Sequence, residues 1–390
     1  MPLTPPRLRA KTAIVSLVPN DLSTEVEACD EQRFLQAIST HLTPEQCQWL
    51  VTPPRTFPRQ DSVLAVHWHP EHIPFPLIEQ RLGALFPNRR EELIIPTQHN
   101  ELMVHNGYAG VEVDCYSHGF DLKVQLLIHM EESRLERAGV FKAALAHTFE
   151  YRASQLFEFV HTLTRPVQER LNEAARETGA DEELLHFVRI HARKIELLID
   201  QYYNKVPRAV FKNKLLRDYF DTLRDSHDPL YINRVQNFLR AVKNIVKSHF
   251  SHKFFYRTSE IIEEARSLGA GIVIPHPEQF WPILLAEYDV DGIEVWNPQS
   301  QLYTDFLISV LTRKNQQLRG PSSRRLLVFM GDDTHMSEKA RAPEHQDSAK
   351  SGREIGVQPG WDNLLIRKRL IMADMDRHTV INEYRQRLAG

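Results

Sequence analysis

The stretch Ser62-Val63-Leu64-Ala65-Val66-His67-Trp68-His69 decides how this chain is read. Ser62–Val66 is a short apolar run of strand length. It ends in two histidines one residue apart. Residues i and i+2 of a strand project to the same side, so the imidazoles of His67 and His69 can approach one cation. A lone H-x-H pair also occurs on exposed strand ends, so its meaning depends on what the other strands carry.

Outward from this stretch the same arrangement recurs. His99 follows the predicted strand Leu93–Thr97, and His129 ends Lys123–Ile128. His276 follows Gly271–Pro275, while Asp333 and His335 follow Leu326–Met330. Glu112 lies inside the predicted strand Gly110–Cys115, where a carboxylate is costly unless it is paired, hydrogen-bonded or bound to metal. Glu294, inside the predicted strand Gly292–Trp296, reads either as a partner orienting a ligand histidine or as a packing residue, and stays outside the ligand set. Taken singly, each of these is a polar strand-end residue. Taken together, ligand-type residues recur at strand ends, where parallel α/β barrels place their chemistry. Histidine with carboxylate oxygen suits zinc, manganese or iron. The set His67, His69, His99, Glu112, His129, His276, Asp333 and His335 exceeds the three protein ligands typical of one catalytic zinc. It is enough for two or three divalent ions, which generate hydroxide at neutral pH and clamp both oxygens of an in-line phosphoryl displacement.

Around these motifs the chain has 390 residues, 42% hydrophobic and 25% charged, with a formal net charge of −3, which excludes a disordered or collagen-like chain. The length predicts two domains or one barrel with an insertion. Histidine is abundant, at 19 residues. The 13 outside the motifs, among them His72, His105, His118 and His191, read as solvated, surface or interface residues. Cys29, Cys47 and Cys115 form no C-x-x-C pair and no even framework, so a reducing cytoplasmic location is expected. Met1–Val18 lacks the apolar core of a signal peptide, and no run reaches the roughly 20 apolar residues of a membrane span.

The middle of the chain differs from its flanks. Ser133–Arg257 carries 22 Lys/Arg against 15 Asp/Glu, and its apolar residues recur at helical spacing. Asp181 marks a helix start before Leu184, Leu185 and Val188. We therefore expect residues 1–60 to be an extension packing on a barrel. Residues 61–132 and 258–390 would form the two parts of that barrel, and 133–257 an all-helical insertion. Ser337–Gly360 is expected to be a long polar loop beside the site.

The order of motifs resembles the PHP family of metal-dependent phosphoesterases, which includes histidinol phosphatases and a domain of bacterial replicative polymerases. The resemblance spans residues 60–130 and 258–336 and takes in the segment Asp291-Gly292-Ile293-Glu294-Val295-Trp296-Asn297. It implies an α/β fold, a distorted (β/α)7 TIM-like barrel holding up to three metals at its mouth. It also implies His67, His69, Glu112, His129, His276, Asp333 and His335 as ligands, with His99 matching the histidine of the second motif. The sequence departs from the family where an aspartate–histidine pair is replaced by Gln98-His99, and where no His or Asp stands at the usual offset beyond H-x-H.

The leading expectation is a hydrolase of phosphate esters in which a metal-bridged hydroxide attacks phosphorus. The leaving-group acid is not identified. The substrate class is a phosphorylated small molecule, nucleotide or oligonucleotide. Lys205, Arg208, Lys212, Lys214 and Arg217 are candidates to meet an anionic substrate, because Lys205–Arg257 holds 12 Lys/Arg against 4 Asp/Glu. Two other readings stay open. One is an amidohydrolase-type hydrolase, which also opens with H-x-H. The other is a nucleic-acid-binding module built on the basic helices, with the metal barrel serving stability.

Overall fold

The protein is described by a computed structural model covering residues 23–318, 324–343 and 346–390. The stretch Met1–Val18 lies outside the described residues. The chain divides into two compact units, one of residues 1–39 and 152–250, the other of residues 40–151 and 251–390. Among the described residues, no helix is long and apolar enough to cross a membrane.

The first unit is helical. It contains the helices Ala28–Ile38, Tyr151–Thr164 (from its second residue), Gln168–Thr178, Glu182–Tyr202, Lys214–Thr222 and Pro229–Ser248. Asp181 caps the long helix as the sequence predicts, its side chain accepting from the Leu184 amide at 2.9 Å. The N-terminal helix belongs here rather than with the strands. Phe34 and Ile38 join the helical core, and Lys194 donates to Asp30 at 2.7 Å. Burial opposes the charge on Asp30, but hydrogen bonds from Lys194 and Tyr219 hold its carboxyl below the usual range.

The second unit is mixed α/β. In chain order its strands are β1 (Ser62–Ala65), β2 (Trp68–His69), β3 (Glu91–Ile94), β4 (Met103–His105), β5 (Tyr108–Ser117), β6 (Leu122–Glu131), β7 (Gly271–Ile274), β8 (Gly292–Trp296), β9 (Leu327–Met330) and β10 (Thr334–His335). β1 pairs in parallel with β3, and β2 with β10. The remaining six form one sheet in the order β4-β5-β6-β7-β8-β9. All seven strands predicted from the apolar runs are present, and β2, β4 and β10 are short additions. These ladders do not close into a barrel among the described residues, and the parallel order of the expected (β/α) barrel fails at β4, β5 and β6. β5 and β6 are a long antiparallel hairpin, and β6 also runs antiparallel to β7, whereas β7, β8 and β9 are parallel.

β1 shows why the opening stretch forms a buried strand. Leu64 and Val66 enter one core with Ile95 and Ile128, while Val63 and Ala65 enter another with Trp68, Ile78 and Phe86. Both faces are buried, which accounts for a continuous apolar run rather than alternation. Two short links tie the ladders together near the end of β1. His99 forms an isolated parallel bridge with Glu112, and the Asp333 amide donates to the His67 carbonyl at 2.9 Å. The chain ends in two helices, Leu364–Met372 and Arg377–Ala389.

Candidate metal centre

The C-terminal ends of β1, β7 and β9, together with mid-β5, deliver a compact group of side chains. Glu112 projects from β5 and is 1% exposed. Its Oε2 lies 2.7 Å from His99 Nδ1 and 3.6 Å from His69 Nε2. Its Oε1 lies 3.3 Å from His276 Nε2 and 3.8 Å from His67 Nε2. Asp333 approaches the same pair, its Oδ1 standing 3.4 Å from His69 Nε2 and 3.8 Å from His67 Nε2. His335 completes the group, its ring centroid 4.4 Å from that of His69.

Most of these separations are too long for hydrogen bonds. They suit atoms arranged around an ion, because ligands about 2.1 Å from a tetrahedral cation stand roughly 3.4 Å apart. Two groups of three have ligand atoms mutually within 4.8 Å: His67, His69 and Glu112, and His69, His99 and His335. Five buried ring nitrogens here lack a hydrogen-bond partner among the described residues: His67 Nε2, both nitrogens of His69, His276 Nδ1 and His335 Nδ1. An unsatisfied buried polar atom costs about 1–3 kcal/mol, and such atoms are rare in folded proteins. Five in one cluster of imidazoles and carboxylates fit a divalent cation.

The surrounding residues aim the rings. Glu294 Oε1 sits 2.6 Å from His67 Nδ1, and Glu294 Oε2 accepts the His276 amide at 2.9 Å. The carboxylate therefore takes the Nδ1 proton of His67 and leaves Nε2 facing Glu112 and Asp333. This gives Glu294 the orienting role among its two sequence readings. It also explains Gly331: a Cβ there would lie 2.1 Å from Glu294 Oε1. His276 and Asp333 adopt positive φ, 26° and 49°, a backbone rarely tolerated outside glycine and concentrated at functional sites.

Charge follows geometry. Burial opposes protonation of His67, but Glu294, Glu112 and Asp333 outweigh it and raise its pKa to about 10. Burial together with neighbouring His99 lowers that of His69, and burial with His69 lowers that of His335 to about 3, so both rings keep lone pairs available. Burial opposes ionisation of Glu112 and Asp333, yet the surrounding histidines hold both carboxyls well below the usual range.

Asp332 faces away. It accepts from the Gly356 amide at 2.9 Å and from Gln358 Nε2 at 3.2 Å, anchoring the following loop, and burial raises its carboxyl to about 6. Gln98, where the family pattern has aspartate, accepts the Glu71 amide at 3.2 Å.

The structure brings seven of the eight predicted ligands together and places His129 elsewhere. Because β6 is antiparallel to β7, His129 pairs in register with Gly271 at the start of β7, not with its end. Its Nε2 donates to the Val66 carbonyl at 2.9 Å, so its Nδ1 must accept from the Tyr384 hydroxyl at 2.7 Å. Neither nitrogen is left for a metal, and burial keeps the ring neutral, with a pKa near 3. The five basic candidates all belong to the helical unit. Lys205 Nζ lies 5.1 Å from the Tyr202 ring centroid, and Arg217 Nε donates to Gln236 at 2.9 Å. Two histidines read as solvated or superficial are buried instead. His105 stacks on Phe75, and His191 packs against Phe187.

Sequence reasoning overlooked Arg353. It lies within the predicted polar loop, and its Nη1 donates to Asp333 Oδ2 at 2.6 Å and to the Asp333 carbonyl at 3.1 Å. Nothing in the local sequence marks it, since arginine in a polar loop is ordinary.

No protein-family model and no curated protein matches the sequence. Among solved structures, the chain is similar to a proposed metal-dependent phosphoesterase from Bifidobacterium adolescentis, at 15% identity, covering 82% of this chain and 97% of that one, with a TM-score of 0.41.

Proposed function

We propose that this protein is a metal-dependent hydrolase of phosphate esters, built on a PHP-type variant of the α/β barrel. The observation that carries the reading is the pair of unpartnered buried nitrogens, His67 Nε2 and His69 Nε2, that face Glu112 and Asp333 at 3.4–3.8 Å. The short links at His99–Glu112 and His67–Asp333 are in keeping with a distorted barrel whose mouth is this cluster. His67, His69, Glu112 and Asp333 would hold one cation, and His99 and His335 would offer donors to a second. His276 flanks Glu112 as a further donor. Zinc, manganese or iron suits the donor set. Bound cations supply Lewis acidity that activates water and offsets charge on the transferring phosphoryl group.

The chain's own residues do the rest. Glu294 orients His67 by accepting from its Nδ1, so that Nε2 faces Glu112 and Asp333, where a bound cation would take the place of its proton. Glu112, central to four imidazoles, sets their spacing. Burial limits water around the carboxylates and strengthens each charge interaction. The substrate class is a phosphorylated metabolite, nucleotide or oligonucleotide, and three free cysteines accord with a cytoplasmic setting.

The test is a panel of phosphate esters assayed with manganese and zinc, beside Asp333→Ala and His67→Ala. Hydrolysis should appear with added metal and fall at least a hundredfold in both variants. Activity that survives both substitutions sinks the assignment.

A further inference from the structure

Arg353 is 7% exposed, and a guanidinium is not buried cheaply. Its placement is enforced from both sides. The next residue, Glu354, is clamped by Arg81, at 2.6 and 2.7 Å, and by Lys339 at 2.9 Å. Three residues on, the Gly356 amide is held by Asp332. The segment is therefore anchored without Arg353, which is left facing the opposite way, onto Asp333.

Its hydrogen bonds are specific. Nη1 serves the Asp333 carboxylate and carbonyl, and Nε donates to the Ala349 carbonyl at 3.2 Å. Nη2 makes no hydrogen bond among the described residues. Asp333 holds its other oxygen toward His69 and His67, so one carboxylate separates the guanidinium from the candidate cation position. Neutralising Asp333 does not by itself call for an arginine, since His67 and His69 already flank that carboxylate. A fixed fork beside a cation site, with one nitrogen uncommitted, is the arrangement that receives an oxyanion.

We infer that Arg353 is a substrate-binding residue whose Nη2 takes a non-bridging oxygen of the phosphoryl group while Nη1 stays on Asp333. This rests on the phosphoesterase reading and adds the group that would orient the anion beside the metals.

The probe is inorganic phosphate, titrated by calorimetry into the full, manganese-loaded chain, with metal content measured on the same samples. Arg353→Gln should weaken phosphate binding at least tenfold at unchanged metal content. Arg353→Lys, which keeps the charge but loses the fork, should fall between the two. If the glutamine variant does not fold, the lysine variant carries the test, with a loss of threefold or more expected. Phosphate affinity within twofold of wild type overturns the inference, as does loss of metal in step with phosphate, which would reduce Arg353 to a support for Asp333. Arginine-dependent phosphate binding without hydrolysis of any ester would leave this inference standing and remove the proposed activity. Hydrolysis with phosphate affinity indifferent to residue 353 would do the reverse, and a wild-type chain that binds no phosphate overturns both.

Discussion

The two ends of the parallel strands β7, β8 and β9 handle buried charge in opposite ways. At their starts the buried polar groups Asp291 and His129 both have partners. Asp291, just before β8, accepts from Arg266 at 2.6 Å, from Arg387 at 3.2 Å and from the Ile272 amide at 2.9 Å. His129 is satisfied by Tyr384 and Val66. At their far ends Glu112 and Asp333 meet more imidazoles than they can serve, and five ring nitrogens go without. A completed network holds a fold together, whereas an incomplete one stores affinity for something not made of protein. In parallel α/β folds, chemistry gathers at the C-terminal ends of strands and stability at the other.

This contrast makes predictions that can break it. The largest effect belongs to Glu112→Ala. Bound manganese or zinc, measured by elemental analysis, should fall below one equivalent per chain, while the metal-free protein keeps its Tm within a few degrees. A collapse of the metal-free fold would mean that Glu112 is structural. Asp291→Ala should do the opposite, costing about 3 kcal/mol in denaturant unfolding because two arginines lose a buried partner, with metal content unchanged. Glu294→Gln should lower metal affinity roughly 10- to 100-fold in a chelator competition, since it frees His67 to rotate and change tautomer. The smallest effect is that of Tyr384→Phe, about 1 kcal/mol of stability from the lost hydrogen bond to His129. If that variant shed metal instead, His129 would belong with the cluster after all.

Much of this was legible in the sequence because it is local. Apolar runs locate seven strands, and strand alternation explains how His67 and His69 share a side. What was not legible depends on pairing. No residue in Lys123–Ile128 says whether the strand runs with or against its neighbours, yet that direction alone removes His129 from the site. Glu294 could be weighed only once its carboxylate was seen on His67. Arg353 reaches Asp333 across 20 residues of polar chain that carry no periodic signal. The N-terminal helix joins the helical unit through Asp30 and Lys194, 164 residues apart, a match invisible to any window.

His69 belongs to both three-residue groups, and neither of its nitrogens is committed elsewhere. A neutral imidazole has one lone pair, so His69 could serve only one of two cations at a time. Filling one group would leave the other a donor short and weaker. A titration should accordingly pass through singly filled chains before any second cation binds, and at half saturation the sample would be largely one species.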